Sequence, residues 1–160
     1  KWVEKEFPKI GTGSINSGEE FLLNYQITSY LFASLTLNKY KEYQIPPAEE
    51  PVIYKRISFD TSWSISSLPK IRFGYEQTEE KSNDIFSPRD LNSKLLTIGS
   101  DTTIKNFFIS LNFQKREQID KILENFSKGN SIYLNLRGEI LPNLPFYFSY
   151  NYQKEKKIRN

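Results

Sequence analysis

The sequence predicts an all-β fold, an antiparallel up-and-down meander of about eight strands in four hairpin repeats of about 38 residues. Three observations predict it. Apolar and polar residues alternate with period 2 in run after run, as on a pleated strand with two unlike faces. The runs recur at a near-constant step: the last stripe residues Leu37, Tyr75, Phe113 and Tyr150 are separated by 38, 38 and 37 residues. Prolines 46, 47, 51, 69, 88, 142 and 145 keep to turns, loops and strand starts, where a missing N–H breaks no ladder.

Residues 1–18 read as the end of a preceding unit plus a linker. Shifted by one repeat, Lys1, Trp2 and Glu4 fall on Lys39, Tyr40 and Glu42, so KWVEKE resembles a charged rim and further strands are expected upstream. Gly11-Thr12-Gly13-Ser14 lacks the Lys-Ser/Thr of a phosphate loop and reads as linker. The first hairpin, 19–43, alternates through Leu23, Tyr25 and Ile27, turns near Ser29–Leu31 and returns as LFASLTLNKYKE. The second, 51–80, runs through Ile57, Phe59, Thr61, Trp63 and Ile65, turns at Ser67–Lys70 and returns as LPKIRFGYEQTEEK.

The third hairpin, 93–118, carries Leu96 and Ile98, a turn around Thr103–Asn106 and the stripe IKNFFISLNFQKREQ. The fourth, 130–157, carries Ile132, Leu134 and Leu136, a prolyl turn at Leu141–Pro145 and the stripe LPNLPFYFSYNYQKEK, leaving 158–160 as a tail. Connections between hairpins are longer and polar: Tyr43–Glu50, Glu79–Asn92 and Arg116–Asn130. One stretch departs from period 2. REQIDKILENFSKG at 116–129 spaces Ile119, Ile122, Leu123 and Phe126 as on a helix, with Gly129 as a stop, and predicts a short loop helix.

Composition narrows the chemistry. At 160 residues the chain suits one domain. Twelve Phe, ten Tyr and two Trp supply more apolar area than a disordered chain would carry. With no Cys and no His, Cys/His zinc sites, Cys nucleophiles, Ser-His-Asp triads and disulfide frameworks are excluded. The net charge of +3 resides in the last seven residues, and the rest balances 18 basic against 18 acidic groups, so no basic face for nucleic acid is expected.

The carboxylate pairs Glu19-Glu20, Glu49-Glu50 and Glu79-Glu80 read as solvated loop charges, and Asp84 with Asp90 fits no standard calcium loop. The expectation is a protein that is not an enzyme and has no catalytic residue, metal or cofactor. No signal-peptide pattern opens the chain. The longest uncharged run, Phe21–Asn38, carries too many polar residues to make a good membrane helix.

The question is which stripe faces what. Soluble surfaces spread Lys and Glu along strands, whereas here they crowd into loops and rims and leave the polar stripes mixed. Short turns on one edge and long loops on the other, with Trp63, Tyr75, Tyr150 and Tyr152 beside charge at strand ends, match a transmembrane barrel. On that reading a lumen-facing set comprises Asn24, Gln26, Thr28, Ser58, Asp60, Ser62, Arg72, Glu76, Asn112, Gln114, Asn135, Arg137, Glu139 and Asn151. A lipid-facing or girdle set comprises Trp63, Phe73, Tyr75, Phe113, Phe146, Phe148, Tyr150 and Tyr152.

The units LPKIRFGYEQTEEK and LPNLPFYFSYNYQKEK resemble the hairpins of Gram-negative outer-membrane β-barrels, the porin-like group that includes barrels sheathing electron-transfer cytochromes. The resemblance covers residues 20–157 as a pattern. It implies a transmembrane β-barrel, or a segment of a larger one, in the outer membrane. It further implies a pore, export conduit or scaffold, with membrane lipid as partner, alongside other envelope proteins or further strands of the same barrel. Such barrels usually end on an aromatic residue, whereas this chain runs on past Tyr152 through QKEKKIRN. Two other readings fit the alternation. A soluble eight-stranded lipocalin-like barrel would bind a small apolar ligand, and a β-rich surface or filament subunit would polymerise through hairpin edges.

Overall fold

A computed structural model describes residues 2–7, 16–42, 50–66, 68–141 and 144–159. They form nine strands: β1 (Trp2–Phe7), β2 (Asn16–Thr28), β3 (Leu31–Glu42), β4 (Val52–Trp63), β5 (Lys70–Ser82), β6 (Arg89–Ile104), β7 (Phe107–Asp120), β8 (Asn125–Leu141) and β9 (Leu144–Arg159). All pair antiparallel in chain order in one sheet, and no helix occurs among the described residues. The sheet is open, with β1 and β9 at its two edges. The eight strands expected from the stripes are β2–β9. Trp2–Phe7, read as a rim, is a ninth strand paired with β2.

The meander follows from the turn chemistry. At the first turn, the Thr28 hydroxyl accepts bonds from the Tyr30 and Leu31 N–H groups, and a bulge falls between Gln26 and Thr28. Lys105 and Asn106 close β6 onto β7, with Lys105 in the left-handed region at φ 53°. At the opposite end of the sheet, the Asp84 carboxylate accepts bonds from the N–H groups of Phe86, Ser87 and Glu50. It is 3% exposed, a clasp tying the β5–β6 loop to the entry of β4.

Two expectations fail. The helix predicted at 116–129 is the end of β7, a turn at 121–124 and the start of β8. Ile119 and Phe126 do share a face, but as cross-strand partners of a ladder that continues to Ile158. The Asp120 side chain accepts from the Ile122 and Leu123 N–H groups and Glu124 takes φ 51°, which closes a hairpin where a helix would have continued. Second, the charged rims are strand and not loop. The connections shrink to 83–88 and 121–124, because cross-strand pairs such as Arg89–Glu80 and Lys128–Glu117 keep the ladders going past the apolar stripes. Among the fully described connections, 29–30 and 105–106 at one end have two residues each, and 83–88 and 121–124 at the other have six and four.

There is no second layer. Val52 is the only buried hydrophobic residue among those described. A sheet ordinarily hides one apolar face against another element. Here nothing in the described chain covers it.

Candidate functional site

The ladder register sorts the side chains onto two faces, since directly opposed residues point the same way. One face is polar. Its central row reads Gln26, Phe32, Ser62, Arg72, Gly99, Asn112, Tyr133, Asn151 from β2 to β9. The next reads Asn24, Ser34, Asp60, Gly74, Thr97, Gln114, Ser131, Gln153.

Within this face charges pair laterally. The Arg72 guanidinium donates to Asp101 of the neighbouring β6 at 2.9 Å and reaches across β6 to Asn112 of β7 at 3.0 Å. It can do so because residue 99 is glycine: a Cβ there would stand 2.5 Å from Asn112 Oδ1 and 3.3 Å from Arg72 Nη2. Gly74 makes the same kind of room for Asp60, whose carboxylate oxygen would lie 2.8 Å from a Cβ. Arg56 pairs with Glu76 at 2.6 Å, and the Arg137 guanidinium lies 4.6 Å over the Phe108 ring. Ser58, Ser110 and Ser131, all on this face, are buried. A hollow lined mainly by Gln114, Arg116, Ser131, Tyr133 and Gln153 spans neighbouring strands, so this side is the concave one there. The chemistry available is polar and largely self-neutralised. No cluster of acidic side chains able to hold a metal occurs among the described residues.

The other face is apolar, and half-exposed: Leu23 is 48%, Trp63 44%, Leu111 47% and Tyr150 51% exposed. Its apolar zone is a band with a sloping border. The last apolar residue before charge is Phe21, Leu37 and Ile57 on β2–β4, which share a row. On β5 and β6 it is Tyr75 and Leu96, one row nearer the short turns, since Ile57 pairs with Gln77 and not with Tyr75. On β7–β9 it is Phe113, Ile132 and Tyr152, a further row along, since Leu96 pairs with Lys115.

The border thus drifts by two rows across the sheet. At about 3.3 Å per residue and 4.8 Å per strand, that is roughly 13 Å in 34 Å, a slope of about 20°. A flat boundary crossing tilted strands produces such a staircase, although the slope is shallower than the ~35–45° tilt of closed barrels. On β7 the band runs from Phe107 to Phe113. That is about 20 Å along the strand before side-chain reach is added, close to the ~25 Å apolar band of outer-membrane barrels.

No known protein family, curated protein or solved structure matches this chain. The site therefore rests on its own geometry.

Register places the expected residues as follows. Gln26, Ser62, Arg72, Asn112 and Asn151 fall in the central polar row, and Asn24, Asp60 and Gln114 in the next. Ser58 and Glu76 are partners one row further, while Asn135, Arg137 and Glu139 lie on the same face towards the short turns. Thr28 is the exception: beyond the bulge it pairs with Leu31 of the apolar face, and its hydroxyl is taken up by the turn. Trp63, Phe73, Tyr75, Phe113, Phe146, Phe148, Tyr150 and Tyr152 all lie on the apolar face.

Sequence reading missed two features. The first is a set of lysines on the apolar face just past the border, Lys39, Lys55, Lys94, Lys115 and Lys154, which are in phase with Leu37, Ile57, Leu96, Phe113 and Tyr152 two residues away. Continuing the period-2 phase into the rims would have found them. The second is the pair Tyr40–Tyr54 on the polar face beyond the band, stacked at 4.6 Å. Burial, a hydrogen bond with Glu42 and the nearby Glu42 and Glu80 charges push the Tyr54 phenol up to about 12, against the opposing charge of Arg89. Burial first, then the same two carboxylates, raises Tyr40. On the opposite face the Lys115 ammonium, hydrogen-bonded to Glu117, holds that carboxyl below its usual range.

Proposed function

We propose that the chain is an integral outer-membrane β-barrel protein, or a segment of one, acting without catalysis as a pore, export conduit or scaffold. The observation that carries this is the inverted sheet: the polar, ion-paired face holds the buried serines and the hollow, while a sloping band of aromatic and aliphatic side chains faces outward uncovered. Water would penalise that face by about 25 cal/mol per Å² of apolar area, and acyl chains would not. A soluble ligand-binding barrel would need the reverse arrangement, with apolar side chains lining the hollow.

On this reading the apolar set meets lipid and the polar set lines a lumen whose charges neutralise one another. The short turns face the periplasm and the longer connections the exterior. An open edge is not tolerated in hydrocarbon, where every backbone N–H and C=O needs a partner. β9 presents a 16-residue edge. On this reading that edge pairs with a further strand of the same barrel, from the same polypeptide or from another copy.

The test is refolding with and without amphiphile. The expected result is strand-rich circular dichroism and a protein–detergent mass larger than the polypeptide alone, with aggregation when detergent is diluted away. A monodisperse, folded, detergent-free protein would refute the proposal. Ordered polymers formed without lipid would favour the edge-pairing filament reading instead.

A further inference from the structure

We infer that the lysines bordering the apolar band form a ring that binds the phosphates of anionic lipid headgroups in the leaflet at the longer-connection end. This rests on the membrane reading above and adds a partner chemistry to it. The argument is one of depth. On β3, β4, β6, β7 and β9 the first apolar-face residue past the border is a lysine: Lys39, Lys55, Lys94, Lys115 and Lys154. These five do not share a row. Lys39 and Lys55 are cross-strand partners, but Lys94 pairs with Glu117 and Lys115 with Leu96. What they share is chemistry at one place: on each of these five strands the first apolar-face position past the border holds a lysine.

One residue pair along a strand is about 7 Å, and headgroup layers are about 5–8 Å thick on each side of the hydrocarbon. Each ammonium, on its flexible stem, therefore sits at phosphate depth. The ring is one-sided. At the short-turn border the apolar face carries no charged side chain among the described residues.

These charges are only partly offset internally. Lys115 is held by Glu117 at 3.2 Å, and Glu19 takes the border position on β2. Glu19, Glu79 and Glu117 are the ladder partners of Lys39, Lys55 and Lys94, but Lys94 and Lys154 have no carboxylate within ion-pair distance among the described residues. A ring made only to mark an interface would need no excess of one sign. Lysine suits a layer of mobile phosphates because it is a compact, strongly hydrated point charge with rotatable donors.

The experiment uses the refolded protein in detergent micelles doped with phosphatidylglycerol or phosphatidylcholine, with bound lipid counted by native mass spectrometry. Wild type is expected to retain phosphatidylglycerol preferentially, less so as salt rises. Replacing Lys39, Lys94 and Lys154 together by Gln should cut that preference about tenfold or more. Replacing the same three by Arg should preserve it, as should the controls Lys105→Gln at a short-turn tip and Lys157→Gln on the polar face. An undiminished preference in the triple Gln protein, or a wild type that does not discriminate between the lipids, would overturn the inference while leaving the barrel reading intact. If the triple Gln protein misfolds, the same comparison is made with Lys94→Gln and Lys154→Gln singly. A protein that takes up neither detergent nor lipid would sink both proposals.

Discussion

Leu111→Arg is the sharpest test of which solvent meets the apolar face. Leu111 lies on β7 within the band, about 13 Å along the strand from Phe107 and about 7 Å from Phe113. It is 47% exposed, and its cross-strand neighbours are Ser100 and Leu134. If that exposure is to water, the guanidinium stays hydrated and the change falls within about 0.5 kcal/mol, as surface substitutions usually do. If it is to hydrocarbon, an Arg near the midplane costs about 2–4 kcal/mol. At 1.4 kcal/mol per decade that is roughly 30- to 700-fold in the folding equilibrium. The two cases differ by more than the error of a urea titration.

The assay is reversible urea unfolding in phospholipid vesicles, followed by Trp fluorescence. The internal control is Gln114→Arg, three residues on and on the polar face, expected within about 0.5 kcal/mol of wild type. Equal costs for Leu111→Arg and Gln114→Arg would refute the assignment of faces. A Leu111→Arg protein as stable as wild type would refute lipid exposure of this band.

Three further outcomes are expected. Gly99→Ala should destabilise by about 0.5–1.5 kcal/mol in the same titration, since its Cβ would stand 2.5 Å from Asn112 Oδ1 and turn that amide away from the Arg72 guanidinium, breaking their hydrogen bond. Gly129→Ala, whose Cβ would meet only a carbonyl oxygen at 3.7 Å, should instead gain up to about 1 kcal/mol from reduced chain entropy. The Tyr54 phenol, raised from 10.0 to about 12, should be missing from the tyrosinate absorbance step near pH 10. Its folded pKa exceeds the unfolded value, so its stabilising contribution is intact below pH 10 and is lost as pH rises through about 12. A Tyr54→Phe protein whose alkaline titration still contains the full high-pH step would contradict this. Lys105→Gly should stabilise the β6–β7 hairpin by about 0.5–1 kcal/mol, because residue 105 sits at positive φ.

What was legible in the sequence was whatever period 2 encodes. Two faces follow from alternation alone, which is why nearly all the residues assigned to polar or apolar stripes land together. Thr28 escaped because a one-residue bulge flips every later side chain, and no composition signal announces it. The helix expected at 116–129 illustrates a second limit. Four apolar residues at helical spacing also fit a hairpin in which two of them are ladder partners and two sit exposed at the tip, and a side-chain cap at Asp120 decides between the two. Pairing register was the missing quantity. Once it is known, the stripe ends Leu37, Tyr75 and Phe113, at first only a repeat period, become successive steps of one sloping border.

The two kinds of basic side chain point the same way. Within β2–β9, Arg56, Arg72, Arg89, Arg116 and Arg137 lie on the polar face and the lysines at the border on the apolar one, with Lys70 and Lys157 the lysines on the polar side of these strands. A soluble sheet gives no reason for this sorting, because both residues serve equally well as solvated charge. Two unlike environments do. In a narrow polar interior one guanidinium nitrogen can serve two fixed acceptors at once, as Arg72 Nη2 does with Asp101 and Asn112. At a headgroup layer the partner phosphates move, and a flexible ammonium on an apolar stem follows them while its methylenes stay in hydrocarbon. The segregation of Arg from Lys thus adds a second observation, beside apolar exposure, in favour of the proposed lipid-facing side.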